Sequence, residues 1–416
     1  MRRTGIAVCM LAAALVCLQT VPALAQQDLQ AQIDQIKQQL GEIDALKGRV
    51  AELEKQLEYT RKAQEAAAPT VSTAFKGDKL KIDGRIFAGI LKSGSEGSDA
   101  RLSAEIPDAK IRFTFNPSKR ITIVNRLSTS NAKNGDFDYF YLDYAGLLSP
   151  TNTLRLGQRK IDVGQETWVD NPIENMLVSN SVSHVSGYGM GAALLGKFTD
   201  SPTSPLYEVG FVDGPKGVTA RPSSGLPVNV KVGAPIGGKT FASMSYFKSG
   251  QLGAADKSAI AVAELTDAPT GATSWDRTLW EADVRYNYGP NGVRPLLPTG
   301  KLPGLMVGAT YGSFSDKATG VADRDGSFWF VEALHGLNPK TYAAARYSVT
   351  DLDDGVTAKL GKSPVAVNSY KRASLGIGYA ITDLTQLKLE YSLNDTSGGA
   401  PDPSLNQWAL GVASKF

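Results

Sequence analysis

Basic side chains recur at alternate positions in several segments of the chain, and this spacing is the clearest chemical signal in the sequence. One face of residues 79–91 carries Lys79, Lys81 and Arg85, while the opposite face is apolar. Because successive side chains of a β-strand point to opposite faces of a sheet, such a segment separates water from an apolar medium. A charged face of this kind attracts anions from solution.

The same alternation assigns more bases than acids to the polar faces of the other segments. The bases are Lys79, Lys81, Arg85, Lys110, Arg112, Arg126, Arg155, Arg159, Lys197, Lys231, Arg285, Arg346, Arg372, Lys388 and Lys415. The acids are Asp83, Asp108, Asp143, Glu208, Glu281, Asp283 and Glu390. We expect an aqueous channel whose pore-lining residues include Lys81, Arg85, Lys110, Arg112, Arg126, Arg155 and Arg159. The excess of bases favours anions, although polar channel walls also occur without ionic selectivity.

Residues 162–187 form a long connection that contains acids but no lysine or arginine. Its acids are Asp162, Glu166, Asp170 and Glu174. If this connection folds into the channel, we expect the last three to form a constriction loop opposite the basic strands, including Arg155 and Arg159. Opposed charges across a constriction create a transverse field that orients dipolar solutes. The alternative is a solvated loop outside the channel.

The sequence offers little to a catalytic mechanism. His184 and His335 are its two histidines, and neither lies in a G-x-S-x-G, HExxH or metal-spaced motif. Residues 233–240 match the phosphate-binding loop pattern, but a predicted strand rather than a helix follows them, so we interpret them as a turn. We therefore expect no catalytic residue, no metal site and no cofactor. The alternative functions are an outer-membrane barrel enzyme of lipase or protease type and a structural tether or adhesin.

Composition restricts the class of protein further. The 416 residues are 42% hydrophobic and 20% charged, which excludes an intrinsically disordered chain. Beyond residue 25, no apolar run approaches the ~18 residues that a transmembrane helix needs. The formal net charge of +3 gives no electrostatic reason to expect nucleic acid as a partner.

Residues 1–25 have the organisation of a secretory signal peptide. Two arginines precede an apolar stretch from residue 6 to residue 18, and Ala-Leu-Ala at 23–25 supplies the small-x-small cleavage pattern. Both cysteines, Cys9 and Cys17, lie in this segment. We therefore expect an exported chain without disulfides.

Residues 26–65 are predicted to form a periplasmic coiled coil, and residues 66–78 a linker. The apolar residues of the first segment follow spacings of three and four, which define a heptad seam. They are Leu29, Ile33, Ile36, Leu40, Ile43, Leu46, Val50, Leu53 and Leu57. Isoleucine at both core positions of the heptad favours trimers or larger assemblies. The alternative is an amphipathic helix that packs on its own domain.

Residues 79–416 contain sixteen segments with period-two alternation. The connections between them alternate between long and short, with 92–106 and 250–277 among the long ones and 289–302 as the exception. This arrangement is typical of outer-membrane barrels, in which closure pairs the backbone groups that face lipid. The predicted fold class is all-β, a 16-stranded antiparallel transmembrane β-barrel preceded by a short N-terminal α-helical coiled coil. We expect apolar side chains to face lipid and polar ones to face the lumen.

The chain resembles the phosphate-selective porin O and P family in its signal peptide, coiled coil and barrel. The similarity is clearest in residues 137–166, FDYFYLDYAGLLSPTNTLRLGQRKIDVGQE. There an aromatic strand, a turn with Pro150 and a Leu-Arg-Leu-Gly strand lead into a Gly-x-Glu sequence. The last predicted strand, 405–416, also resembles the C-terminal recognition strand of outer-membrane barrels, because it ends in Phe416.

The resemblance implies a homotrimer in the bacterial outer membrane with three separate pores. It does not imply phosphate as the solute, because phosphate-specific members concentrate arginine and lysine at the constriction, whereas the connection 162–187 carries only acids. The sequence therefore predicts a porin that lets small hydrophilic solutes and ions diffuse through a water-filled channel, with outer-membrane lipid as its surroundings and its N-terminal helices in the periplasm.

Overall fold

The structure is a computed structural model. It describes residues 37–38, 41–42, 47–52, 54–55, 79–95, 98–129, 136–169, 174–201, 203–215, 225–289, 291–292, 304–353, 355–360, 366–398 and 406–416. The chain divides into two compact units, Met1–Lys76 and Gly77–Phe416. The described residues of the first unit are helical and exposed. The predicted signal peptide and linker lie outside the described residues, and the assembly of the helices into a coiled coil stays a prediction. Across the described ranges, no helix is long and apolar enough to cross a membrane.

The second unit is a closed antiparallel barrel. Its strands are β1 (Leu80–Ser95), β2 (Ser98–Phe115), β3 (Ile121–Ser128), β4 (Asp136–Ala145), β5 (Asn152–Lys160), β6 (Val185–Lys197), β7 (Leu206–Pro215), β8 (Val228–Ile236), β9 (Thr240–Lys248), β10 (Leu252–Gly253), β11 (Ile260–Val262), β12 (Ser274–Tyr286), β13 (Leu305–Thr319), β14 (Arg324–Gly336), β15 (Thr341–Leu352), β16 (Ser369–Thr382), β17 (Thr385–Ser397) and β18 (Gln407–Lys415). β10 and β11 are short segments within the connection from β9 to β12, and β9 pairs directly with β12. The other sixteen strands of the described chain form the wall, and pairing of β1 with β18 closes it. The predicted 16-stranded barrel is confirmed.

The wall carries apolar side chains on its outer surface. In β17, Leu389 and Leu393 point outward and are exposed, whereas Glu390 and Ser392 point inward and are buried. This orientation is the reverse of a soluble protein with an apolar core, and it suits a barrel whose outer surface meets lipid. Closure lets each strand pair its backbone with two neighbouring strands, as an apolar surrounding medium requires.

The first hairpin is longer than the sequence predicted. The predicted loop 92–106 belongs mostly to strands, since β1 continues to Ser95, which lies opposite Ser98 at the start of β2. The segment is polar at most positions, so the period-two signal stops before the strand does. β13 likewise continues to Thr319, beyond the predicted strand end near residue 314.

Apolar packing fills part of the barrel interior, which differs from the predicted uniformly polar lumen. Inward-facing apolar residues of the wall form one buried cluster with the connection between β5 and β6 and the loops that follow β9 and β15. The wall residues are Val212, Phe247, Leu279, Phe314, Phe328, Leu352 and Tyr370. A second apolar cluster on β13–β15 includes Met306, Leu334 and Tyr342. The packed side chains of these two clusters therefore occupy the interior next to β12–β16.

We expect a charge on the outer surface to destabilise the barrel in lipid. Leu375 lies midway along β16 and is 63% exposed on the outer face. Leu375→Arg should lower the free energy of unfolding in lipid vesicles by ~2–4 kcal/mol if the residue lies near the bilayer midplane. Leu375→Phe should change it little. Urea titration of both variants, followed by tryptophan fluorescence, measures the difference, and equal stability would contradict an outer surface in lipid.

Candidate channel site

The connection between β5 and β6, residues 161–184, enters the barrel and is called the third loop here. Its first part lies against β8 and β9. Lys231 Nζ donates hydrogen bonds to Asp162 Oδ1 at 2.6 Å and to the Gly164 carbonyl at 2.7 Å. Gly164 has a left-handed backbone with φ of 69°, and a Cβ there would lie 2.0 Å from Glu281 Oε1. A residue without a side chain is therefore required for the loop to approach the wall.

The second part of the third loop is attached to the inner face of β15–β17. The Glu390 carboxylate accepts hydrogen bonds from the backbone N–H of Val178 at 2.6 Å and of Ser179 at 2.8 Å. Arg346 Nη1 donates to the Ser179 carbonyl at 2.9 Å. Ser348 Oγ accepts from the Val182 N–H at 3.1 Å. Wall side chains thus satisfy buried backbone groups of the loop, which holds the loop on this side of the lumen.

Glu166 joins the two parts of the third loop. It is buried in the short 3-10 helix Glu166–Val169 and accepts hydrogen bonds from Ser181 N at 2.7 Å and Ser181 Oγ at 2.5 Å. His184 Nδ1 lies 3.4 Å and Arg346 Nη1 3.7 Å from its carboxylate. Burial raises the pKa of Glu166, but the hydrogen bond and charge of His184, the charge of Arg346 and the Ser181 hydrogen bond outweigh it and lower the pKa to about 2.

These contacts correct the predicted constriction. Glu166 is packed inside the loop and does not face the channel, because its carboxylate is already occupied by Ser181, His184 and Arg346. Asp170 lies outside the described residues. Glu174 is half-buried and lines a cavity beside β18 and β1–β5.

Two cavities lie between the third loop and the wall of the barrel. The first, of about 390 Å³, touches β1 at Asp83–Arg85 and β18 at Lys415, near the end of the barrel with the short turns. The second, of about 480 Å³, touches β1 at Phe87 and Leu91, nearer the end with the long loops. Asp108 lines the second cavity and forms ion pairs with Arg85 and Lys110 of the first. The two cavities are therefore adjacent along β1 and β2.

The first cavity is lined mainly by bases. They are Arg85, Lys110, Arg112, Arg126, Arg155, Lys160 and Lys415. Asp83 accepts from Arg112 Nε and Nη2 at 2.8 and 2.9 Å, and Asp143 accepts from Arg155 Nε and Nη2 at 2.8 Å each. Such two-point pairs fix the plane of a guanidinium group. Each arginine held in this way is thus paired with a negatively charged carboxylate.

A β-bulge in β4 adds a carboxylate to this wall. The register shifts between Arg126 and Leu127 of β3, so that both Asp138 and Tyr139 point inward. Asp138 Oδ2 lies 2.9 Å from Lys110 Nζ and 3.0 Å from Arg126 Nε. Strict alternation assigned Asp138 to the outer face, and the bulge is the reason that the sequence did not reveal it.

Two predicted pore-lining residues, Arg159 and Lys81, are not among those that line the first cavity. Arg159 is fully buried, with Nη1 2.6 Å from Glu208 Oε1 and Nη2 2.7 Å from Asn229 Oδ1. It therefore does not line the open channel, because its charged group is enclosed by these partners. Lys81 has a side chain that is 69% exposed at the start of β1. The carboxylate partner of Arg155 is Asp143 on β4 and that of Arg159 is Glu208 on β7, so both partners come from the wall.

The structure also places charged residues inward that the sequence did not assign to the lumen. The bases are Lys160, Arg277 and Arg324, and the acids are Asp138, Asp316 and Glu332. Arg277 and Arg324 both pair with Asp316, and Glu332 pairs with Arg346. Because most of these charges pair with one another, counting bases against acids overstates the positive charge that a solute meets. In the described residues, no three His, Cys, Asp or Glu side chains are grouped so as to hold a metal ion.

Comparison with known proteins shows the fold. The anion-selective porin from Comamonas acidovorans covers 81% of this chain and 99% of its own, with 12% identity and a TM-score of 0.55. The outer membrane channel DcaP of Acinetobacter baumannii covers 81% and 97%, with 14% identity and a TM-score of 0.54. The trimer form of OmpT, an outer membrane protein of Vibrio cholerae, covers 81% and 99%, with 9% identity and a TM-score of 0.52. No protein-family model and no curated protein matches the sequence. The chain thus has the barrel fold of outer-membrane porins.

Acid should weaken the attachment within the third loop. Because the folded pKa of Glu166 is below its ordinary value of 4.5, its contribution to stability is complete above about pH 4.5 and is lost as the pH falls to about 2. A shift of this size corresponds to about 3 kcal/mol. We expect Glu166→Gln to be less stable than the unchanged chain at pH 6 and nearly equal to it at pH 2. Guanidinium unfolding in detergent measures both, and a pH-independent difference would contradict the assignment.

Cysteine accessibility distinguishes the open wall from the occupied one. Ser103 on β2 lines the second cavity, whereas Ser348 on β15 is buried beneath the third loop. The only cysteines of the chain lie at positions 9 and 17, in the predicted signal peptide. A cationic thiosulfonate reagent should lower the single-channel conductance of Ser103→Cys and leave that of Ser348→Cys unchanged. The reverse pattern would show that the third loop does not cover β15.

Proposed function

We propose that this protein is a bacterial outer-membrane porin through which small hydrophilic solutes and ions diffuse passively. The observation that carries the proposal is the pair of adjacent polar cavities along β1 and β2, inside a closed wall whose outer surface is apolar. A sixteen-stranded barrel is wide enough for an aqueous channel. The third loop lines both cavities and thus narrows this channel to the space beside β16–β18 and β1–β5.

The channel carries a modest preference for anions. Seven bases line the first cavity together with only two acids, Asp83 and Glu174. Asp108, Asp138 and Asp143 form ion pairs with these bases and offset most of their charge. The anion-selective porin from Comamonas acidovorans, which shares the fold, is consistent with this preference.

The carboxylates that pair with the arginines of the first cavity argue against phosphate as a specific solute. A multiply charged anion that reached Arg112 or Arg155 would also approach Asp83 or Asp143, which hold those arginines, and would be repelled by them. We therefore take from the phosphate-selective porin O and P family its architecture, a homotrimer with periplasmic N-terminal helices, and not its solute. The trimer form of Vibrio cholerae OmpT supports assembly of this fold into trimers.

The alternative functions have less support from the described residues. An enzyme in the barrel would need a base beside a nucleophile. His184 contacts the Glu166 carboxylate within the third loop, and His335 lies on the exposed face of β14. A tether acting through the helices alone would not require a polar path through the barrel.

Ionic selectivity in a salt gradient tests the function. The purified protein in a planar bilayer should give stepwise conductance and a zero-current potential that favours anions over cations. Asp143→Asn should move this potential further toward anions, and Arg155→Gln toward cations, because each removes one member of the same ion pair. No conductance from folded protein would contradict the channel. An unchanged potential in both variants would show that ions do not pass this pair.

A further inference from the structure

The first cavity combines planar cations with aromatic rings. The guanidinium Cζ of Arg126 lies 4.1 Å from the centre of the Tyr139 ring, and that of Arg155 lies 4.1 Å from the centre of the Tyr141 ring. The two rings are 5.4 Å apart. Arg126, Tyr139, Tyr141 and Arg155 therefore form a continuous row of flat groups across β3, β4 and β5.

The arginines of this cavity are oriented by the wall. Arg155 donates Nε and Nη2 to Asp143, and Arg112 donates Nε and Nη2 to Asp83. This two-point pairing leaves the Nη1 edge of Arg155 for another acceptor, whereas Arg112 also forms a hydrogen bond with Tyr139. Because Arg155 is held before a solute arrives, little side-chain entropy is lost when a carboxylate binds to that edge.

The third loop contributes a further aromatic group to the cavity. Trp168 lines the same cavity, and its indole Nε1 donates a hydrogen bond to Asp162 Oδ1 at 2.6 Å. This bond restrains the orientation of the ring. Aromatic side chains therefore line the cavity from two elements, β4 and the third loop.

The second cavity is poorer in such groups. Among the described residues, its acids are Glu105, Asp108, Glu264 and Glu390, and Arg372 is its one arginine or lysine. The guanidinium Cζ of Arg372 lies 5.6 Å from the centre of the Tyr370 ring, so this cavity has one such pair where the first has two. An anion thus finds fewer cationic partners there than in the first cavity.

We infer that the first cavity is a binding site for small planar carboxylates, of which the simplest are aryl carboxylate anions. The carboxylate binds to the Nη1 edge of Arg155, and the flat ring packs against the aromatic side chains of Tyr141 and Trp168. The cavity of about 390 Å³ is within the size range of small-molecule sites. This inference rests on the proposed porin function and specifies its solute class.

Two solutes of equal charge and similar size separate planar recognition from simple anion attraction. We expect benzoate to reduce single-channel chloride current at about tenfold lower concentration than cyclohexanecarboxylate, because only the planar ring stacks on guanidinium and aromatic faces. Equal concentrations of the two for half-maximal reduction would overturn the inference. Acetate serves as the control for charge without a ring.

A matched pair of variants tests the ring surface. Tyr141→Phe retains the ring and should keep the roughly tenfold preference for benzoate, whereas Tyr141→Leu removes the ring and should reduce it to about twofold or less. Arg155→Lys keeps the charge but loses the planar group and should also reduce the preference. Arg372→Lys, in the second cavity, should leave it unchanged. A preference that survives both Tyr141→Leu and Arg155→Lys would overturn the inference.

The design separates failure of the site from failure of the channel. Heat-modifiable mobility in gel electrophoresis shows that each variant is folded. If the folded protein conducts without discriminating the two solutes, the porin function stands and the planar-carboxylate site is wrong. If it does not conduct, the porin function is wrong, and calorimetric titration of the detergent-solubilised protein with benzoate and cyclohexanecarboxylate still decides whether the site exists.

Discussion

The buried backbone of the third loop must find hydrogen-bond partners, and this constraint determines where water can pass. A loop that enters a barrel takes its N–H and C=O groups away from bulk solvent, so each needs a partner. Lys231 on β8 and Glu390, Arg346 and Ser348 on β15–β17 supply these partners. These partners lie at the two ends of the half of the wall that runs from β8 to β17, so the loop crosses that half of the barrel. The polar cavities are left between the loop and the wall of β16–β18 and β1–β5.

The apolar clusters reinforce the same asymmetry. Phe314, Phe328 and Leu352 point into the barrel, where they are buried against loop residues, and Tyr342 packs against Met176 and Leu177 of the third loop. Apolar side chains inside a barrel exclude water from the region that they fill. The fold therefore combines two kinds of interior, a packed one beside β12–β16 and a polar one that holds the two cavities. The first cavity lies along β18 and β1–β5, and the second along β16–β18, β1 and β2.

Ion pairing governs the chemistry of the open wall. Asp83 and Asp143 hold Arg112 and Arg155 in fixed planes, and the same carboxylates reduce the net charge of the wall. Long-range attraction of anions is therefore weaker than the number of bases suggests, whereas short-range geometry is well defined. The third loop adds Trp168 to this wall, and its own acid Glu166 is used for internal attachment. Selectivity in such a channel depends more on shape and directed hydrogen bonds than on charge alone.

Much of the fold was predictable from the sequence, because alternation in segments such as 386–395 directly reports which side chains face outward. The direction of the charged face was predictable for the same reason. Asp138 was missed because a bulge interrupts the alternation, and nothing in the local sequence marks the extra residue. The packed interior was missed at Phe314 and Phe328, although both are in phase with inward residues of their strands. The role of Glu166 depends on Ser181 and Arg346, which are distant in sequence, so no local pattern predicts it.

The position of the third loop is tested most directly by single-channel conductance. The variant to measure lacks residues 174–182, the part of the third loop attached to β15–β17. If this segment occupies one side of the lumen, its removal should raise the conductance while the protein stays folded. Unchanged conductance in the folded variant would mean that the segment does not occupy the channel, and the account of a displaced pore would be contradicted.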